Sequence, residues 1–224
     1  MRARAARFPV QRASSVAEKI ALIDYGAGNL HSVHNALKAA GAEGVIITSA
    51  ADVVRGADRI VLPGVGSFKA CAEGLRGLDG VVEAMTERVH EGGIPFLGIC
   101  VGMQLLAARG LEHGETAGLG WVPGEVRAIK TTDPAIKVPH MGWNDVALSA
   151  AARTDTLIET GEAYFLHSYH FAADDPQHIA AMTDHGGRLV AAVAKDTMLG
   201  VQFHPEKSQA YGLGLLSRFL EWAP

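Results

Sequence analysis

Two stretches hold residues whose types and spacing can do chemistry. The first is Gly98-Ile99-Cys100-Val101-Gly102-Met103-Gln104. An apolar run before it, Ile94-Pro95-Phe96-Leu97, reads as a buried strand. After it, Gln104 to Arg109 are good helix formers closed by Gly110, so a helix is expected there. Cys100 then stands on a sharp strand-to-helix turn with a glycine two residues to either side. That is the pattern of a nucleophile elbow, with sulfur in place of a serine oxygen. The turn lifts the thiol above the sheet edge, and unpaired N–H groups at a helix start favour a negatively charged sulfur. The second stretch is Gln202-Phe203-His204-Pro205-Glu206-Lys207-Ser208. A thiolate nucleophile needs a base and a group that orients the base. His204 lies between the last strand and the last helix, at a strand's carboxyl end, where open α/β sheets place their sites. Two residues on in an extended segment, Glu206 points to the same face and can hold the imidazole tautomer. Alone, the cysteine reads equally as a buried structural residue or a nucleophile, and the His-x-Glu reads as a surface pair. Together they read as a Cys100–His204–Glu206 triad.

Other residues fit around these. Pro63-Gly64-Val65-Gly66 also follows an apolar strand and can aim backbone N–H groups at a developing oxyanion, with the Val101 N–H as the natural second donor. Gln104, one helical turn after Cys100, shares its face and can read an amino-acid substrate. Gly26 and Gly28 lack the third glycine and the lysine of a phosphate loop and read as a tight turn. His31 and His34 share a helix face, while His140, His167 and His170 are scattered. None has Asp, Glu or Cys at zinc-ligand spacing, so neither metal nor cofactor is expected. Cys71, inside a predicted helix, reads as a small core residue.

The elements that must position these groups form a α/β pattern. Strands at 19–24, 45–48, 59–62 and 94–97 alternate with helices, which argues for βα units and a parallel sheet. Beyond Gly110 strands dominate: Val126–Ile129, Asn144–Leu148, Ala163–Leu166, His178–Met182, Leu189–Val193 and Leu199–Phe203, then a closing helix at Ala210–Trp222. These add antiparallel strands. The chain has 224 residues, 48% hydrophobic and 20% charged, which suits one domain with a sizeable core over 19–224. Residues 1–18 are expected to be a disordered or flexible extension: Met1–Ser15 is rich in Ala and Arg, like a transit peptide, but has no evident apolar face. The first 19 residues carry a net +4, so the remaining 205 carry −8, which disfavours nucleic acid as a partner. Two cysteines give no disulfide framework and point to a reducing cytoplasm. No apolar run approaches the ~20 residues of a membrane helix.

With these residues assembled, the chain resembles the class I glutamine amidotransferases. Within them it resembles the glutaminase subunits of imidazole glycerol phosphate synthase, in histidine biosynthesis. The broad signals are the Cys100 elbow with Gln104 and the His204-Pro205-Glu206 segment. Sharper ones are IDYGAGNLHSV at 23–33, LPGVGSF at 62–68, GICVGMQLL at 98–106, PHMGWN at 139–144 and HPEKS at 204–208. Relatives serving anthranilate, carbamoyl phosphate or GMP synthesis more typically carry G-H-Q where this chain has Gly102-Met103-Gln104. The resemblance implies a flavodoxin-like, mostly parallel sheet flanked by helices. It implies that Cys100 attacks the glutamine amide, that the Val65 and Val101 N–H groups hold the oxyanion, and that His204, oriented by Glu206, moves the protons. Gly66, Gln104, Ser168 and Tyr169 resemble the family's glutamine-holding groups. Ammonia would pass to a cyclase (β/α)-barrel subunit in a heterodimer, with Asn29, Trp143 and Lys207 on the docking face and a Lys207–Glu206 salt bridge coupling docking to the triad. Two other readings stay open: the glutaminase subunit of another ammonia-channelling synthase, and a stand-alone γ-glutamyl hydrolase of the same fold.

Overall fold

The computed structural model describes residues 18–150 and 157–224. The anticipated extension up to residue 17 lies outside the described residues. In chain order the elements begin with β1 (Lys19–Ile23), α1 (Leu30–Ala39), β2 (Gly44–Thr48), α2 (Ala51–Arg55) and β3 (Arg59–Gly64). Next come α3 (Phe68–Arg76), α4 (Val81–Thr86) with a π turn at Glu87–Glu91, β4 (Phe96–Cys100) and α5 (Val101–Gln104). The second half holds β5 (Arg109–Gly110), β6 (Thr116–Ala117), β7 (Gly124–Ala128), β8 (His140–Leu148), β9 (Gly161–His167) and β10 (Tyr169–Ala173). It ends with β11 (Ile179–Asp184), β12 (Arg188–Lys195), β13 (Met198–Val201) and α6 (Gln209–Glu221).

The main sheet runs β2-β1-β3-β4-β13-β12-β11-β8-β9. Its first five strands are parallel neighbours and the rest are antiparallel. The sequence explains the division. Strands β3, β4 and β13 are buried along their whole length and, apart from Arg59 at the start of β3, read as unbroken apolar or small runs, because both faces are covered. Strand β8, near the far edge, mixes buried positions such as His140 and Val146 with exposed ones such as Met141. A second, four-stranded sheet, β10-β7-β5-β6, takes up β7 and the short β5, β6 and β10, which the sequence reading did not resolve. Phe96, Phe165, Phe171, Phe203 and Phe219 are fully buried, each contributing about 1.5–3 kcal/mol over an exposed position. Buried Arg59 fastens the end of α6 to β3: its Nη1 donates to the carbonyls of Phe219 and Trp222 at 2.8 and 2.7 Å, and its Nε pairs with Glu18 at 2.9 Å. The Phe219 carbonyl also accepts from the Trp222 N–H at 3.4 Å, so Arg59 adds a second, shorter donor to carbonyls that a helix end leaves short of partners.

One expected element is corrected. The helix after the elbow covers only residues 101–104 and does not continue to 109. The carbonyls of Leu105, Leu106, Ala107 and Ala108 accept from the N–H groups of Leu119, Val122, Gly120 and Gly118 at 2.7–3.0 Å. The Ala108 N–H meanwhile donates to the Gly124 carbonyl. Tertiary backbone pairing thus overrides the helix propensity of these residues.

Candidate active site

Strand β4 ends at Cys100, whose φ of 55° and ψ of −112° are unusual for a residue with a side chain. Such strain collects at functional positions, where the surrounding structure enforces it. The enforcement is visible in the glycines. A Cβ on Gly98 would lie 2.7 Å from the Gly102 carbonyl oxygen, one on Gly64 would lie 2.6 Å from the Gly102 nitrogen, and one on Gly102 would strike the Leu62 carbonyl. These close approaches press α5 onto β3 and β4. A four-residue helix carries only a small dipole, so the favour it offers a thiolate is smaller than the longer expected helix would give. The β3–β4 register sets Gly64 beside Cys100, so Val65 and Gly66 leave the sheet next to the sulfur. Gly66 has a φ of +101°, which a side chain would resist. The Tyr25 hydroxyl donates to the Pro63 carbonyl at 2.6 Å and the Cys71 thiol to the Val65 carbonyl at 3.4 Å, bracing this loop from beneath. Burial pushes both the Tyr25 phenol and the Cys71 thiol up, keeping them protonated as donors.

Strand β13 lies beside β4, with Val201 opposite Ile99, and this carries His204 to the same edge. Only 3% of His204 is exposed. Its Nδ1–H donates to Glu206 Oε1 at 2.8 Å. The segment is not fully extended as expected: Pro205–Lys207 forms a 3-10 turn, and Glu206 reaches back to the ring from it. Buried Ser208 braces the turn. Its hydroxyl donates to the His204 carbonyl at 2.7 Å and accepts from the Tyr164 N–H at 3.0 Å, while the His204 N–H donates to the Tyr164 carbonyl at 2.9 Å. Burial disfavours the imidazolium, but hydrogen bonding and charge interaction with Cys100 and Glu206 outweigh it, and the pKa of His204 is pushed up to about 9.

A cavity of about 290 Å3 opens over the sulfur. Of the residues anticipated from sequence, Val65, Gly66, Cys100, Val101 and Gln104 line one side, and Ser168, Tyr169, His204 and Lys207 the other. Glu206 stands behind His204. Asn29 and Trp143 do not line the cavity. Asn29 caps α1, accepting from the Ser32 N–H at 3.4 Å. Trp143 sits on β8, half exposed, with its ring edge-on to Tyr164 at 6.2 Å. The Lys207 ammonium lies over the same Tyr164 ring, 5.6 Å from its centre. It makes no ion pair with Glu206 among the described residues, contrary to the anticipated salt bridge.

Residues that sequence reasoning missed also line the cavity. Glu112 accepts from the Phe68 N–H at 2.7 Å and fixes the start of α3. His167 lines the cavity and is not scattered from His140: His140 Nδ1 and His167 Nε2 are 3.0 Å apart, and the His185 ring stacks on His140 at 4.1 Å. His167 Nδ1 faces the Tyr169 carbonyl at 2.9 Å and must carry a proton, so Nε2 accepts from His140 Nδ1–H. His140 Nε2 then accepts from the Asn144 amide at 3.0 Å. Both rings are neutral: burial and then His185 push His140 down to about 4, and burial with smaller contributions from neighbouring histidines pushes His167 down to about 3. Among the described residues, no group of three or more His, Cys, Asp or Glu is arranged to hold a metal ion. No helix among them is long and apolar enough to cross a membrane.

A thiol elbow facing a His–Glu pair occurs on more than one fold, so whole-chain similarity decides the family. The profile of the family described as glutamine amidotransferase class-I matches residues 21–221. The chain belongs to the class I glutamine amidotransferases. Within this family it is 54% identical over 207 residues to the imidazole glycerol phosphate synthase subunit HisH of Zymomonas mobilis, covering 92% of this chain and 96% of that protein. Subunits of the same name from Ruegeria pomeroyi and Rhodospirillum rubrum are 53% and 50% identical, covering 99% and 100% of their lengths and 91% and 92% of this chain. Among solved structures, a glutamine amidotransferase shares the fold with a TM-score of 0.68 at 20% identity, covering 90% of this chain and 97% of that one. A structure of PurLQS from Thermotoga maritima matches with a TM-score of 0.66 at 16% identity, covering 92% of this chain and 98% of the other. The fold and family anticipated from the motifs are those found.

Proposed function

We propose that this amidotransferase is the glutaminase subunit of an imidazole glycerol phosphate synthase and delivers ammonia to a cyclase partner for histidine biosynthesis. The observation that carries the chemistry is His204, bonded to Glu206 at 2.8 Å on one ring nitrogen and facing Cys100 from within the cavity. The whole-length likeness to HisH subunits carries the pathway.

In this reading Cys100 sulfur attacks the side-chain carbonyl carbon of glutamine. The Val65 and Val101 N–H groups receive the oxyanion. His204, as imidazolium, gives its proton to the departing ammonia as the tetrahedral carbon collapses to a thioester. The neutral ring then takes a proton from water, whose oxygen attacks the thioester. Collapse of that adduct expels the Cys100 thiolate beside the imidazolium of His204 and releases glutamate. Gly66, Gln104, Ser168 and Tyr169 hold the amino-acid end of the substrate. The cavity is near the small end of ligand pockets, which suits an amino acid. The partner is a (β/α)-barrel cyclase that docks over the cavity mouth, and the complex works in the cytoplasm. Exposed Val65, Val138, Met141, Trp143 and Leu166 support such docking, since apolar groups gathered near one opening mark an interaction face.

The experiment is assembly with a cyclase subunit of this class. Cys100→Ala should abolish glutamine-dependent synthesis and leave ammonia-dependent synthesis near wild type. Retained glutaminase activity in the variant would overturn the nucleophile assignment. Full glutaminase activity of the wild-type chain alone, unmoved by the cyclase and its nucleotide ligand, would overturn the synthase-subunit reading.

A further inference from the structure

Gln202 is fully buried and lies outside the cavity lining, yet both ends of its amide are committed to site residues. Its Oε1 accepts from Gln104 Nε2 at 2.9 Å, and its Nε2 faces Cys100 Sγ at 3.7 Å. The amide orientation follows from the partners. Gln104 Nε2 also faces the Tyr169 carbonyl at 2.9 Å, an acceptor only, so Gln104 must present its NH2 there. The Tyr169 carbonyl in turn accepts from His167 Nδ1–H. Rotating Gln202 by half a turn would set its NH2 against that of Gln104 and its oxygen against the sulfur. The chain of donors therefore runs one way, from Asn144 through His140 and His167 to the Tyr169 carbonyl, and from Gln104 through Gln202 to the sulfur.

We infer that Gln202 is a catalytic residue that stabilises the Cys100 thiolate by donating Nε2–H to it. This rests on the reading of Cys100 as nucleophile and adds a donor that neither the motifs nor the family likeness assigned. Cys100 is 3% exposed and meets the cavity on one side only, so on its protein side a thiolate needs a donor from protein. His204 supplies one on the cavity side, and Gln202 supplies another from within the protein. The donor acts where the sulfur carries charge: before attack on the amide, and again when the thiolate leaves the tetrahedral adduct of water and thioester. In the thioester itself the sulfur is neutral, and the contact contributes little. Because Gln202 does not reach the cavity, its contact with the sulfur works on kcat, and glutamine binding is touched only through Gln104, which the Tyr169 carbonyl also holds.

The test is alkylation of the full chain with iodoacetamide, read by mass spectrometry at Cys100 and Cys71 separately from pH 5 to 10. The titratable groups facing the sulfur are His204 with Glu206 behind it, Tyr25 and Cys71, with Glu112 and Lys207 at the cavity wall. None of them changes in the variants. Gln202→Met keeps length and apolar volume while removing the donor, and Gln104 keeps the Tyr169 carbonyl. The alkylation curve of Cys100 should move about one unit to higher pH, and synthase kcat should fall about tenfold with KM for glutamine unchanged. An unmoved curve with Cys71 still protected would overturn the inference. If Cys71 becomes reactive, the Met variant has lost its fold and the near-isosteric Gln202→Glu decides. A carboxylate facing the sulfur should move the curve upward at least as far, and an unmoved or lowered curve would overturn the inference. In the wild-type chain, alkylation of Cys71 in preference to Cys100 would instead overturn the nucleophile reading itself.

Discussion

At residue scale the site separates proton transfer from orientation. His204 faces both the sulfur and Glu206, whereas among the described residues Glu206 hydrogen-bonds only to the ring: its Oε1 accepts from Nδ1, and its buried Oε2 has no hydrogen-bond partner. In the proposed mechanism Glu206 therefore holds the tautomer and supports the imidazolium, and His204 moves the protons. His204→Asn should lower kcat by about 10²–10⁴-fold, the usual worth of a positioned acid–base group. Glu206→Gln should cost roughly ten to a hundred times less. It should also shift the pH dependence of glutamine hydrolysis downward, because a cause of the raised His204 pKa is gone. Steady-state kinetics of both variants in the assembled synthase check this, and equal or reversed losses would show the carboxylate taking a direct part.

At element scale, β8 and β9 hold two neutral histidines against each other, and this has a pH consequence. In the unfolded chain both rings titrate near 6.5. In the fold His140 is pushed down to about 4 and His167 to about 3. Below pH 6.5 the unfolded chain binds protons that the fold refuses, so stability falls as pH drops from about 6.5 to 4. His204, with its pKa raised, is protonated in both states at the low end of this window and adds no fall there. Its contribution is lost at the other end, as pH rises through about 9. Urea midpoints between pH 7 and 5 should fall for the wild type and fall less steeply for His167→Gln, whose amide cannot charge. Identical slopes would sink the assignment. The same strands mark the limit of what the sequence discloses. Strands β1, β3 and β4 were legible because covered parallel strands are apolar runs bounded by turn residues, and Cys100 and His204 because each sits where such a run stops. The His140–His167 contact joins residues 27 apart in sequence, and the Gln104–Gln202 contact residues 98 apart. No local pattern reports such pairings. Two-residue strands such as β5 and β6 have no period to read. The shortness of α5 is equally hidden, since Ala107 and Ala108 favour a helix until a distant loop claims their backbone.

At the scale of the molecule, the parallel half of the sheet carries Cys100 and His204, proposed as nucleophile and base, while the antiparallel half supplies the exposed face beside them. Trp143 on β8, Tyr164 on β9 and Lys207 on the turn before α6 make one continuous surface, with Tyr164 in the middle. Turn Pro205–Lys207 packs on α1, whose cap is Asn29. A partner seated on this surface would press on the turn that carries Glu206 and, through Ser208, on the backbone of His204. Docking would reach the triad through that turn and its hydrogen bonds, since Lys207 stands over an aromatic ring and not beside Glu206. Lys207→Glu replaces a cation over a π face with an anion and reverses the charge offered to the partner. It should weaken binding to the cyclase about tenfold or more in a calorimetric titration. Trp143→Ala, which removes exposed apolar area from the same surface without touching the cavity, should also weaken it. Unchanged affinity in both variants would place the cyclase elsewhere. Weakening by Trp143→Ala alone would keep the face and remove Lys207 from it.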